Sequence, residues 1–364
     1  MSTRSFRIAA TVVLLFGTRL LAQNANNPIE DALLRWYPAN ITAQFSTTTC
    51  STPSGLAFDG AHMWVACFGS SELMELNTND GSLAQMIPLA NAPSFLLYDG
   101  KDIWAANPKN NSVTKVLANS PANQTVVALN APGTEPVGLT FDGRNIWVAN
   151  SAGTGGSISK IDATGTTAGS PITVSGSSGT CVNPAAIAYV ASDPGNPSAN
   201  GLLSSLWIVC TAEPGVIGVV EVNPTNPSTY VGTTGFNDIG ASGGCNNIAF
   251  DGRYIWLPTS NGPIGHLISL LQIDTTNLVV TPTDLKQSTV PVAVAFDGLY
   301  VWVVDASSPT VFKVLTSRTA DQPGTVFGPY STGGGTSSFA AFDGGNAWVS
   351  TSNSSAKTFS VLKM

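Results

Sequence analysis

Few side chains in this sequence could do chemistry. His62 and His266 are the only imidazoles among 364 residues. A metal or acid–base site would therefore lean on carboxylates, amides and hydroxyls. Neither histidine stands where a Ser–His nucleophile pair can be argued. An Asp recurs in Phe/Tyr-Asp-Gly at 58–60, 98–100, 141–143, 250–252, 296–298 and 342–344. Six carboxylates at one repeated position look like a ligand set, but Asp-Gly between two apolar runs is hairpin-turn chemistry. Gly takes positive φ, and the carboxylate accepts turn N–H groups. These Asp residues are expected to be structural.

A Trp follows each copy, and Tyr189 with Trp207 forms a degenerate one. Three residues beyond the Trp positions stand Cys67, Asn107, Asn150, Cys210, Thr259, Asp305 and Thr351. This set is expected at one mouth of a central channel. Asn107, Asn150, Thr259, Asp305, Thr351 and His266 are its candidate ligand-binding residues. Asp305 is the one carboxylate. That set suits a weak ion or a polar ligand better than a strong metal centre. No metal ligands are assigned, and no cofactor is expected beyond a weak divalent ion. The loop Asn77–Ser82 has a superficial calcium-loop look, but it lacks a distal Glu and reads as a hairpin turn.

The elements that position these residues follow from the repeat. Successive Trp residues are 40 to 60 residues apart. Each unit holds four short strand-like runs, the pattern of a β-propeller blade. The prediction is an all-β, seven-bladed β-propeller with four-stranded antiparallel blades. After Trp348 only one strand-like run remains, Thr358–Leu362. Residues Ile41–Thr48 are expected to supply the missing strand of the last blade and close the ring, so removing the chain up to about residue 49 should destabilise the whole molecule. Phe and Trp should pack between blades. Lys115, Lys160 and Lys313, like Glu75, Glu221 and Gln272, recur in third strands and read as solvated or paired between blades.

The cysteines fall at matching offsets in two units. Cys50 and Cys181 lie eight residues before Phe58 and Tyr189, while Cys67 and Cys210 lie three after their Trp. Antiparallel pairing brings those ends together, which predicts disulfides Cys50–Cys67 and Cys181–Cys210. Cys245 is left over, and Cys210–Cys245 is the competing pairing.

Residues 1–22 read as a signal peptide: Arg4 and Arg7 precede the apolar run Ile8–Gly17. Residues 23–40 form an N-terminal segment with a short helix near Glu30–Tyr37, and residues 41–364 form the propeller. The mature chain is expected to be secreted or periplasmic, monomeric, and without a membrane span. Charged residues are only 10% of the chain and the net charge is −7, which argues against nucleic acid as a partner.

The runs Gly55-Leu56-Ala57-Phe58-Asp59-Gly60 with Met63-Trp64-Val65-Ala66, and Gly138-Leu139-Thr140-Phe141-Asp142-Gly143-Arg144-Asn145-Ile146-Trp147-Val148-Ala149-Asn150 followed by Ser157–Asp162, carry a resemblance. They resemble secreted bacterial propellers of the NHL, YVTN and streptogramin-lyase-like group. That group includes a lyase that linearises virginiamycin B using a divalent metal with His and Glu residues. The resemblance does not carry those residues over. His62 sits in a hairpin turn on the opposite side from the channel-mouth loops, and no Glu follows His266 in a recognisable motif. Propeller lactonases, similar in fold, hold a calcium-like ion with a carboxylate and amide cluster that this chain does not repeat. The leading expectation is a non-enzymatic binding scaffold for a protein, glycan or small molecule. The alternatives are a streptogramin-lyase-like or other metal-assisted enzyme and a structural surface component.

Overall fold

The structure, a computed structural model, describes residues 43–47, 49–130, 135–151, 156–176, 179–181, 183–191, 202, 204–212, 216–227, 230–235, 245–259, 270–285, 289–316, 324–333, 335–353 and 358–364. The expected signal peptide, the Glu30–Tyr37 helix and His266 lie outside them.

Six four-stranded antiparallel sheets are each built from four consecutive strands. Blade one comprises Pro53–Phe58, His62–Cys67, Glu72–Asn77 and Leu83–Pro88. Blade two comprises Phe95–Tyr98, Asp102–Asn107, Ser112–Leu117 and Gln124–Ala128. Blade three is Pro136–Phe141, Asn145–Asn150, Ser157–Asp162 and Ile172–Thr173. Blade four is Asn183–Ala191, Ser204–Ala212, Val216–Val222 and Tyr230–Gly235. Blade five is Ala249–Phe250, Tyr254–Pro258, Leu270–Asp274 and Val280–Thr283. Blade six is Pro291–Phe296, Tyr300–Asp305, Thr310–Leu315 and Val326–Ser331. A further four-stranded sheet joins Thr336–Phe342, Ala347–Asn353 and Thr358–Lys363 to the strand Ala43–Thr47. There Ala43 pairs with Lys363 and Thr47 with Phe359. The fold is an all-β propeller with four-stranded antiparallel blades. No described helix is long and apolar enough to cross a membrane.

Strand composition follows from position. Second strands lie between two neighbouring blades and bury both faces; Asp102–Asn107 is buried throughout. Outer strands such as Gln124–Ala128 alternate with exposed residues, as one-sided strands do. First strands carry a recurring register shift, between Pro53 and Leu56, Pro136 and Gly138, Pro184 and Ala186, and Pro291 and Ala293. Proline lacks the ladder donor, so it is tolerated at a bulge. The six Asp-Gly turns hold their glycines at φ between +93 and +101°, where an L residue would be strained.

The core is divided between blade pairs. Trp64 packs with Leu96, Ile103 and Val116 of blade two. Trp104 packs with Leu139, Ile146 and Ile161 of blade three. Trp348 packs with Leu56, Met63 and Val65 of blade one. Each indole thus joins its own sheet to the next.

Candidate functional site

The repeated Asp is a clamp. Asp59 Oδ1 accepts the backbone N–H groups of Ala61 and His62 at 2.8 and 2.7 Å. Its Oδ2 accepts the Trp64 indole at 2.8 Å. The same indole–carboxylate bond measures 2.7 Å at Trp104–Asp99, 2.7 Å at Trp147–Asp142, 3.0 Å at Trp256–Asp251, 2.8 Å at Trp302–Asp297 and 2.7 Å at Trp348–Asp343. Burial pulls the carboxyls of Asp59, Asp142 and Asp343 upward. The indole and turn donors outweigh it and hold all three below the ordinary Asp value. Blade four lacks the Asp, and Ser205 Oγ takes the Trp207 indole at 2.9 Å instead. The bond five residues apart was not read from the sequence. Its signal is the fixed Asp-to-Trp spacing, with a hydroxyl two residues before the one Trp that lacks an Asp.

The set three residues beyond Trp is buried. Asn107 and Asn150 have no exposed surface, and neither does Asp305; Thr259 and Thr351 are 1% exposed. Asn107 donates its amide to Ser112 Oγ and Thr114 Oγ1 at 3.2 and 2.8 Å. Asn150 donates to Ser157 and Ser159 at 3.1 and 2.9 Å. Both Oδ1 atoms are buried without a hydrogen-bond partner. Asp305 accepts the N–H groups of Val290 and Ser307 and the hydroxyls of Ser307 and Ser308, at 2.5 to 2.9 Å. Asn107 and Asn150 thus tie the end of a second strand to the third strand that follows, while Asp305 braces the loop after its strand and ties down the approach to its first strand. Phe95 of blade two meets Phe339 of the last sheet edge-on at 5.7 Å. Asn246 of blade five donates to Ser338 O at 3.0 Å.

Cys50–Cys67 and Cys181–Cys210 are disulfides, with Cα atoms 5.0 and 5.3 Å apart. They lock the start of a first strand to the end of a second. Cys245 is a free, buried thiol. Burial pushes its ionisation far up, and the thiol donates to Asn247 O at 3.3 Å.

At the opposite, hairpin-turn end, two adjoining cavities flank Lys115: one of about 390 Å³ within blade two, and one of about 470 Å³ between blades two and three. Both are lined by Lys101, Asp102 and Lys115, and the larger adds Arg144, Asp162 and Phe141. Lys115 pairs with Asp102 at 3.2 Å, donates to Ala163 O of the next blade at 2.5 Å, and lies 5.1 Å over the Trp104 ring. Arg144 is largely exposed, 4.0 Å from Asp162. No sequence expectation pointed here. The signal was present in the variable residues after Asp-Gly, where Lys101 and Arg144 stand.

Comparison with solved structures places this architecture among known propellers. A streptogramin B lyase structure superposes with a TM-score of 0.66 at 17% identity, over 88% of this chain and 97% of that one. A hydrazine synthase chain from Kuenenia stuttgartiensis gives 0.66 at 15% identity, over 88% and 97%. The virginiamycin B lyase from Staphylococcus aureus gives 0.65 at 15%, over 89% and 99%. At these identities the likeness is one of fold, and it bears out the resemblance to lyase-like propellers at that level. No protein-family model and no curated protein sequence matches the chain.

Proposed function

We propose that this chain is an exported binding scaffold that holds a polyhydroxylated ligand, an oligosaccharide, in the groove between blades two and three. The pair of adjoining cavities that share Lys101, Asp102 and Lys115 carries this reading. Three cations and three carboxylates line the larger cavity, beside the half-buried Phe141 ring. Sugar hydroxyls can bond to charges of both signs, and an aromatic wall takes a sugar face. Two disulfides suit an oxidising compartment. Calorimetric titration of the full chain with neutral and uronic-acid oligosaccharides tests it. Saturable binding lost in Arg144→Ala and Lys101→Ala is expected; heat unchanged by both substitutions refutes the groove.

A second reading keeps the ligand at the channel mouth, favoured by the unpartnered Oδ1 atoms of Asn107 and Asn150 on adjacent blades. There, binding would be lost in Asn150→Ser and retained in Arg144→Ala. An enzymatic reading would draw on His266, outside the described residues. The sheet that recruits Ala43–Thr47 is read here as the seventh blade, closed by its N-terminal strand. Its support is the Trp348 cluster with blade one, and the bonds from Lys363 Nζ to the carbonyls of Thr78 and Asn79.

A further inference from the structure

We propose that Asp59, His62 and Glu75 of blade one form a binding site for a divalent transition-metal ion of the zinc class. His62 Nδ1 lies 3.4 Å from Asp59 Oδ2 and 3.1 Å from Glu75 Oε1. One ligand atom from each residue falls within 4.8 Å of the other two. Tetrahedral ligands about 2.0–2.1 Å from a zinc ion sit roughly 3.3–3.4 Å from one another. Both contacts of His62 Nδ1 already match that spacing, and the two carboxylate oxygens start within 4.8 Å of each other.

Local folding explains the convergence. His62 opens the second strand two residues before Trp64, and Glu75 stands opposite Trp64 on the third strand. His62 and Glu75 are thus diagonal neighbours on one face of the sheet. Asp59 reaches the same point from the hairpin turn.

The shell around the three ligands is organised as metal sites require. Asp59 Oδ1 is held by the N–H groups of Ala61 and His62, while its Oδ2 takes the Trp64 indole. Glu75 Oε2 accepts Gln85 Nε2 at 2.5 Å, which leaves Oε1 turned toward the imidazole. The carboxylate side chains are 10% and 6% exposed and the imidazole is 33% exposed. An ion would keep three protein ligands and one side open to water.

The repeat supplies a second argument. At the position of Glu75, blades two, three and six and the last sheet carry Lys115, Lys160, Lys313 and Lys363, each 4.9 to 5.7 Å over its Trp ring. In blade two that ammonium also pairs with Asp102, at the position of His62. Blade one reverses the order. Two carboxylates converge where other blades hold a fixed cation, and a bound ion restores the charge. The site takes the ion through a nitrogen and two oxygens, a donor set that suits zinc better than calcium.

The test uses the full chain, stripped with EDTA and titrated with ZnCl₂ by calorimetry, with Co²⁺ as the spectroscopic probe. Stoichiometric binding is expected, together with a cobalt visible absorption of low-symmetry N/O coordination. Affinity should fall at least tenfold in Glu75→Gln and His62→Asn and stay unchanged in Lys160→Gln. Circular dichroism establishes that each variant is folded; Glu75→Gln retains a side-chain amide for Gln85 to bond. Absence of zinc binding, or binding undiminished in folded Glu75→Gln and His62→Asn, overturns the site. Oligosaccharide binding in the blade-two groove is read separately through Arg144→Ala, so each proposal stands or falls alone.

Discussion

If Ala43–Thr47 closes the ring, Phe45 is the residue through which closure is felt. Its ring stacks on Trp348 at 5.8 Å with 26° between planes. It also packs against Gly81 in the turn between the third and fourth strands of blade one. Full truncation of a core Phe to Ala costs roughly 3–5 kcal/mol; for this half-buried ring, about 2–3 kcal/mol is expected. Unfolding entropy of about 2.1 cal/mol/K per residue over the roughly 320 residues of Ala43–Lys363 gives ~0.7 kcal/mol/K. Phe45→Ala should therefore lower Tm by about 3–4 °C. Gly81→Ala supplies an independent arm. Gly81 has φ +68°, which costs an L residue about 1–2 kcal/mol, and the added Cβ would run into the Phe45 ring. Removing that ring removes the collision and leaves only the backbone cost. A double-mutant cycle by urea unfolding should show coupling of at least ~1 kcal/mol between the two positions. A Phe45→Ala protein that melts like the parent, with Gly81→Ala costing the same in both backgrounds, would refute closure through this strand.

Three further outcomes are expected. Asp59, Asp142 and Asp343 have folded-state pKa values below the ordinary 3.8, so the stability they supply is complete above that value and is lost as pH falls through the folded pKa values. A melting series from about pH 6 to pH 2 should show Tm falling at the acid end, less steeply in Asp142→Asn; equal slopes would contradict the clamp. The disulfides close separations of 17 and 29 residues, worth about 3 and 3.5 kcal/mol by chain entropy. Each Cys-to-Ser pair should lower stability by that order in denaturant titration. Cys245 should resist alkylation in the native protein and react on unfolding.

The repeat made the fold legible because it fixed period, turn and packing together. Phe-Asp-Gly dictated a hairpin, Trp dictated burial, and the cysteine offsets dictated which strand ends meet. The site was less legible because spacing places a residue along a strand but not the depth of its side chain. Asn107, Asn150 and Asp305 stand where strand ends meet a loop, and that position can face a channel or brace the loop from inside. The bracing role depends on Ser112, Ser157 and Ser308, whose hydroxyls become partners only once the loop is folded. The Asp–Trp bond was hidden for a related reason: the indole N–H reaches back five residues across the hairpin, a contact that neither helix nor strand periodicity encodes. The first-strand bulges were not anticipated, because a proline that opens a strand fits a regular ladder as well as a bulge.

What varies among the blades also argues for where function sits. The clamp is nearly invariant, and the residues above it are not. Across the second and third strands the diagonal neighbours are His62–Glu75, Asp102–Lys115, Asn145–Lys160, Tyr254–Gln272 and Tyr300–Lys313. Each pair sits diagonally on the same face, two residues from the Trp pairing. Asp102–Lys115 is an ion pair, and Tyr300 holds the Lys313 ammonium 4.5 Å over its ring. The scaffold tolerates many chemistries here because Trp, Asp and the turn glycine already fix the backbone beneath. A position held by its neighbours is free to change its own side chain at small cost in stability. The hairpin end is therefore where one repeat can differ from the next without disturbing the sheet beneath. Both the groove around Lys115 and the Asp59–His62–Glu75 cluster lie there, whereas the opposite end spends its polar groups on loops that must hold their shape.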